Sequence, residues 1–206
     1  MIAIIDYGAG NLRSVVNAFE AIGSQPLVTN HPGDLAEASA IVLPGVGAFG
    51  DGMECLRRLG FIEALTEEVM EKKKPYLGIC LGMQFLGRQS FEHGTNAGLG
   101  WLPGSVQRIV TGDQKFHVPH IGWNDVRLER PSPLFDGLPL EPVFYFVHSF
   151  HLVLEDEEKE AVTSTCRHGV TITASVQKDH IFGVQFHPEK SQESGLKLLE
   201  NFVKLL

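Results

Sequence analysis

Three cysteines in 206 residues, Cys55, Cys80 and Cys166, are too few and too scattered for a disulfide framework or a zinc site. Their scarcity implies a reducing, cytoplasmic setting and leaves a single cysteine free for chemistry. No apolar run reaches the ~18 residues that a membrane span needs. The opening MIAIIDYG lacks the basic flank and long apolar region of a signal peptide, so neither a membrane nor a secretory route is expected. Positive charge is also short: the formal net charge is −8, which disfavours a nucleic-acid backbone as partner. The one lysine run, Lys72, Lys73 and Lys74, reads as a helix end matched to its dipole and a solvated tail. Repeats, low-complexity segments and long linkers are missing as well. At 43% hydrophobic and 20% charged residues, the composition is that of a folded chain forming one domain over residues 1–206.

What is present alternates. IAIID, AIVLPG and KPYLGIC are short apolar runs of buried-strand character, separated by helical patterns. Leu12, Val15, Val16, Phe19 and Ile22 recur at helical spacing, with Gly23 placed to end that helix. Met53 to Lys74 reads as a second amphipathic helix closed by Pro75. This order predicts an α/β fold: an open, mostly parallel, twisted sheet with helices on both faces. The second half carries strand-like runs from VQRIV to HIFGVQFH, expected to extend the same sheet as antiparallel hairpins. A last helix has Leu196, Leu199 and Phe202 on one face.

Gly78-Ile79-Cys80-Leu81-Gly82 follows the strand PYLGI and precedes the helical stretch MQFLG. A nucleophile on a tight strand-to-helix turn needs small residues two positions either side. The turn sets its sulfur at a helix N-terminus, where the dipole favours thiolate, and aims the Leu81 amide at a developing oxyanion. Taken alone, the segment also fits a buried structural cysteine between packing glycines. His187-Pro188-Glu189, after the strand IFGVQF, supplies what a cysteine nucleophile requires. A histidine can move the proton, and a carboxylate two residues on can reach its Nδ1. Both motifs fall at strand carboxyl ends, where open α/β sheets gather their ligands.

Pro44-Gly45-Val46-Gly47-Ala48-Phe49-Gly50 contains a formal GxGxxG. The acidic residue expected about twenty positions on would be Glu71, on the lysine-rich helix end, so a dinucleotide reading fails in context. The alternative is a loop whose Val46 or Gly47 amide is a second oxyanion donor. The pairs His117/His120 and His148/His151 lie in strand-like runs without a third ligand at metal spacing. Cys55 and Cys166 read as packing residues.

GICLGMQ together with HPEKS resembles the class I, triad-type glutamine amidotransferases. More narrowly, IDYGAGNLRSV, LPGVGAFGDGM, VPHIGWN and YFVHSFH are similar to the glutaminase subunits of imidazole glycerol phosphate synthases. The resemblance runs from the first strand to the last motif, and it implies a flavodoxin-like fold and a Cys80–His187–Glu189 triad acting through a γ-glutamyl thioester. It places Gln84 and Glu92 near the α-amino and carboxylate region of L-glutamine, with Ser149 and Phe150 as the opposite wall. Phe150 stands where many relatives carry tyrosine, which removes a hydroxyl contact. The resemblance makes Pro44–Gly47 a switch that completes the oxyanion hole. It sets Asn11, Trp123 and Lys190 toward a (β/α)₈-barrel cyclase that receives the ammonia in a heterodimer. It implies no cofactor and no metal. The same triad could serve another synthase. A cysteine hydrolase of the DJ-1 type would lack the distal H-P-E, and a non-catalytic binding module would be expected to have a broken triad.

Overall fold

The computed structural model describes residues 1–113 and 115–206. Strands β1 (Ile2–Ile5), β2 (Leu27–Thr29), β3 (Ala40–Gly45) and β4 (Tyr76–Cys80) come from the first half of the chain. They alternate with helices α1 (Leu12–Ala21), α2 (Phe49–Arg58) and α3 (Phe61–Leu65). A one-turn helix α4 (Leu81–Gln84) leads to β5 (Gly87–Ser90), β6 (Asn96–Ala97) and β7 (Leu102–Arg108). Then come β8 (His120–Asp125), β9 (Arg127–Leu128), β10 (Val143–His148), β11 (Phe150–Leu154), β12 (Val162–His168), β13 (Val170–Lys178) and β14 (Ile181–Val184), with α5 (Gln192–Val203) last.

The principal sheet has the order β2-β1-β3-β4-β14-β13-β12-β9. Its first five strands are parallel, in the doubly wound order with a switch between β1 and β3. The remaining three are antiparallel. Side chains alternate across the strands, so each face has its own core. Ile2, Ile4, Val42, Leu77 and Ile79 pack with Phe19 of α1 and Leu198, Leu199 and Phe202 of α5. Ala3, Ile5, Ile41, Leu43 and Tyr76 pack with Met53 and Leu56 of α2 and Phe61 and Leu65 of α3. Both faces are covered, which is why the parallel strands read as continuous apolar runs rather than alternating ones.

Four expectations need correction. The helix expected over Met53–Lys74 starts earlier and breaks. Gly60 adopts φ 78°, α3 restarts at Phe61, and residues Thr66–Glu71 form a wider π-type turn. The helical stretch after the cysteine stops at Gln84, because the Phe85 and Leu86 carbonyls accept the Leu99 and Leu102 amides (2.8 and 2.9 Å). Only part of the second half extends the principal sheet. β10 and β8 form a separate two-stranded sheet, and β11-β7-β5-β6 a separate four-stranded one.

The lysine run is also not a solvated tail throughout. Lys74 Nζ donates to the carbonyls of Leu35 and Ala36 (2.8 and 2.6 Å) and pairs with Glu68 (2.7 Å), whose side chain is buried. No helix among the described residues is long and apolar enough to cross a membrane.

Candidate active site

β4 ends in a sharp turn at Cys80, whose φ of 53° and ψ of −105° lie outside the regions favoured by L residues. Strain of this kind costs about 1–3 kcal/mol and persists only where the surroundings over-determine it. Here the over-determination is close packing. A Cβ on Gly82 would collide with the Leu43 carbonyl, and one on Gly78 with the Gly82 carbonyl. Leu81 opens α4, so its amide belongs to the first turn, whose N–H groups have no intrahelical acceptor.

β3 runs beside β4 with Gly45 opposite Cys80, and the chain leaving β3 brings Val46 and Gly47 to the cavity that Cys80 lines. Gly47 has φ 99°, and Val46 is exposed.

His187 follows β14, the other parallel neighbour of β4. Its amide donates to the Tyr145 carbonyl (2.8 Å), and Ser191 closes the turn by donating to the His187 carbonyl (2.6 Å). Pro188 starts a short 3₁₀ turn that folds Glu189 back, giving His187 Nδ1 to Glu189 Oε1 at 2.7 Å. Both side chains are buried.

Nε2 has no hydrogen-bond partner among the described residues. Burial lowers the imidazole pKa. The charge of Cys80, with Glu189 hydrogen-bonded behind the ring, outweighs burial and pushes the pKa up to about 10. The geometry supports proton exchange between cysteine and histidine, with the carboxylate fixing the ring.

A cavity of about 400 Å³ opens in front of the elbow. Val46, Gly47, Cys80, Leu81, Gln84 and Glu92 line it, together with Ser149, Phe150 and Lys190. The expected oxyanion and substrate residues thus share one cavity. Lys190, expected at a partner interface, also reaches its wall, with Nζ 5.6 Å from the Tyr145 ring centre. Trp123 meets the same Tyr145 edge-on at 5.1 Å and is exposed. Asn11 is an exposed residue preceding α1, donating to Ser14 Oγ (2.7 Å).

Two residues have a further structural engagement. Glu92 Oε2 accepts the Phe49 amide at the start of α2 (2.7 Å), tying the cavity to that helix. Phe150 acts through its carbonyl, which accepts Gln84 Nε2 (2.9 Å) and His148 Nδ1 (2.8 Å). A tyrosine there would offer the same backbone atom.

Comparison with known proteins identifies the family. The family model for glutamine amidotransferase class-I matches residues 3–206. The chain belongs to the class-I glutamine amidotransferases. Among the relatives of this amidotransferase is imidazole glycerol phosphate synthase subunit HisH 1 of Campylobacter jejuni (strain RM1221). It is 49% identical over 205 residues, covering 100% of both chains. Subunit HisH of Moorella thermoacetica is also 49% identical, across 100% of this chain and 95% of its own. The solved structure of PurLQS from Thermotoga maritima superimposes with a TM-score of 0.77 at 21% identity, covering 99% of this chain and 97% of that one. That likeness concerns the fold.

Sequence reading missed Gln185, Tyr7 and His148. Gln185 Nε2 lies 3.6 Å from Cys80 Sγ. The Tyr7 hydroxyl is buried without a hydrogen-bond partner among the described residues, and burial together with the nearby Cys80 raises its pKa. Gln185 had a signal, being the one amide in the apolar run IFGVQF. Tyr7 had none. One histidine of each pair meets the other across the β8–β10 ladder, with His120 Nδ1 and His148 Nε2 3.0 Å apart.

Proposed function

We propose that this chain is a glutaminase subunit that hydrolyses L-glutamine to glutamate and ammonia and delivers the ammonia to a synthase partner. Cys80 Sγ attacks the carboxamide carbon as the Cys80–His187 pair adjusts its shared proton. The oxyanion is held by the Leu81 amide and by an amide of the Val46–Gly47 segment. The carbon–nitrogen bond breaks as His187 donates a proton to the departing ammonia, leaving a γ-glutamyl thioester. His187 then takes a proton from water, hydroxide adds to the thioester, and the carbon–sulfur bond breaks with its electron pair on sulfur. Glu189 keeps the imidazole in the orientation that presents Nε2. Gln84, Glu92, Ser149 and Phe150 form the walls against the amino-acid end of the substrate.

The partner we propose is a (β/α)₈-barrel cyclase, bound as a heterodimer, which uses the ammonia to form imidazole glycerol phosphate and an aminoimidazole carboxamide ribotide. HisH relatives of matching length are named as subunits of imidazole glycerol phosphate synthase, which supports this assignment. Asn11, Trp123 and Lys190 are the proposed contact residues.

The observation that carries the chemistry is the buried His187–Glu189 pair, with Nε2 unengaged among the described residues and a strained Cys80 lining the cavity. The test is glutamate release by the purified chain, alone and with the cyclase plus its ribonucleotide substrate. Cys80→Ala is expected to lower turnover by about four orders of magnitude or more. Cys80-dependent turnover that no cyclase stimulates would move the ammonia to another synthase. Turnover surviving in Cys80→Ala would sink the mechanism.

A further inference from the structure

Gln185 is fully buried between β14 and His187, in a run that is otherwise apolar. A buried amide is costly unless both ends are bonded. Its Oε1 accepts Gln84 Nε2 at 3.0 Å, and its Nε2 lies 3.6 Å from Cys80 Sγ.

The direction of this amide is set from a distance. The Phe150 carbonyl can only accept, so Gln84 must turn its NH₂ group there, at 2.9 Å. The second proton of that NH₂ then meets Gln185, which must present oxygen. Nitrogen is left facing sulfur. Reversing Gln185 would place oxygen against sulfur and NH₂ against NH₂.

Histidines behind the carbonyl obey the same polarity. Asn124 Nδ2 gives one proton to the Arg167 carbonyl (3.0 Å) and the other to His120 Nε2 (3.1 Å). His120 Nδ1 therefore donates to His148 Nε2 (3.0 Å), and His148 Nδ1 donates to Phe150 O (2.8 Å). One set of tautomers satisfies every link. It requires both rings neutral, as burial ensures by lowering His120 to about 4 and His148 to about 3.

We propose that Gln185 is a positioning residue for the nucleophile: its Nε2–H group holds Cys80 Sγ as a second donor beside His187. The bond would stabilise sulfur in its anionic form before attack, and again when the carbon–sulfur bond of the thioester breaks. The inference rests on Cys80 being the nucleophile.

The experiment uses the chain in complex with its synthase partner and two variants. Gln185→Met keeps the volume and loses both polar ends. Gln185→Glu keeps an acceptor for Gln84 and loses the donor. Iodoacetamide alkylation of Cys80 is followed against pH, alongside kcat and KM for glutamate release and the thermal midpoint. The other ionisable groups around the sulfur remain in place: His187 backed by Glu189, Tyr7 from the β1–α1 link, and His148, Glu92 and Lys190 on the cavity wall.

Both variants are expected to slow alkylation at neutral pH about tenfold, to move its pH profile to the alkaline side, and to lower kcat more than they raise KM. An unchanged alkylation profile, with only a lower thermal midpoint, would reduce Gln185 to packing and overturn the proposal. So would a Gln185→Glu complex that matches wild type. A wild-type complex whose glutamate release persists in Cys80→Ala would overturn the underlying reading as well.

Discussion

Cys80 keeps its unusual φ of 53° because the chain on either side has nowhere else to go. The Gly82 α-carbon lies against the Leu43 carbonyl of β3, and a methyl group there can be accommodated only by moving the elbow off the strand. Gly82→Ala is therefore expected to lower stability by about 3 kcal/mol and to abolish glutamine turnover, read by denaturant unfolding and glutamate release.

His187 gives a second prediction, in pH. Its folded pKa, about 10, stands above the unfolded value near 6.5. The native state therefore holds the proton more tightly. The resulting stabilisation is fully present below about pH 6.5 and is lost as pH rises toward 10. Removing the sulfur in Cys80→Ala removes the largest raising influence, so thermal midpoints measured across this window should fall less steeply with pH than in wild type. An equal slope would show that Cys80 does not act on the imidazole.

Elements were legible where the sequence carried both their period and their punctuation. The parallel strands β1, β3 and β4, the helix α1 ended by Gly23, and the two motifs at strand ends all had such marks. α2 and α3 did not. Their apolar spacing runs on through Gly60, and nothing local announces that Gly60 takes a left-handed conformation while the chain turns. The separate β8–β10 and β11-β7-β5-β6 sheets were hidden for another reason: alternation marks a strand but not its partner. The site divided the same way. Cys80, His187 and Glu189 are marked by spacing and Gln185 by its apolar surroundings, whereas Tyr7 and His148 come to the site only through the strand order.

Lys74 belongs at this scale, because it fastens the turn after α3 to the segment before β3. Its ammonium serves two carbonyls and the buried Glu68 at once. Lys74→Met should cost about 2–3 kcal/mol, since it leaves a buried carboxylate with a weaker set of partners. Denaturant melts would show the loss, while kcat in the saturated complex should not change. A fall in kcat would mean that this fastening reaches the β3 loop.

For the whole molecule, the elements that carry the site also carry an exposed apolar strip. β8 and β10 pair in their own small sheet, outside the eight-stranded one, and leave Ile121, Trp123 and Val143 exposed at 59%, 60% and 41%. Trp123 rests edge-on against Tyr145, Lys190 lies near the same ring, and Lys190 belongs both to the turn after His187 and to the cavity wall. An aromatic anchor of this kind, next to a polar rim, is the usual composition of an interface centre. If ammonia is handed to a synthase, the receiving surface must lie close to where ammonia is released, and this strip meets that requirement through two side chains. Trp123→Ala should therefore weaken assembly with the cyclase by about 2 kcal/mol, roughly thirtyfold in Kd. Because the ring is exposed, the thermal midpoint of the isolated chain should barely move. At saturating cyclase, kcat should return to the wild-type value, which separates an assembly contact from a catalytic one. Calorimetric titration with the cyclase, paired with glutamate release across a range of cyclase concentrations, measures both. An unchanged Kd would move the interface away from β8 and leave Trp123 without a role in assembly.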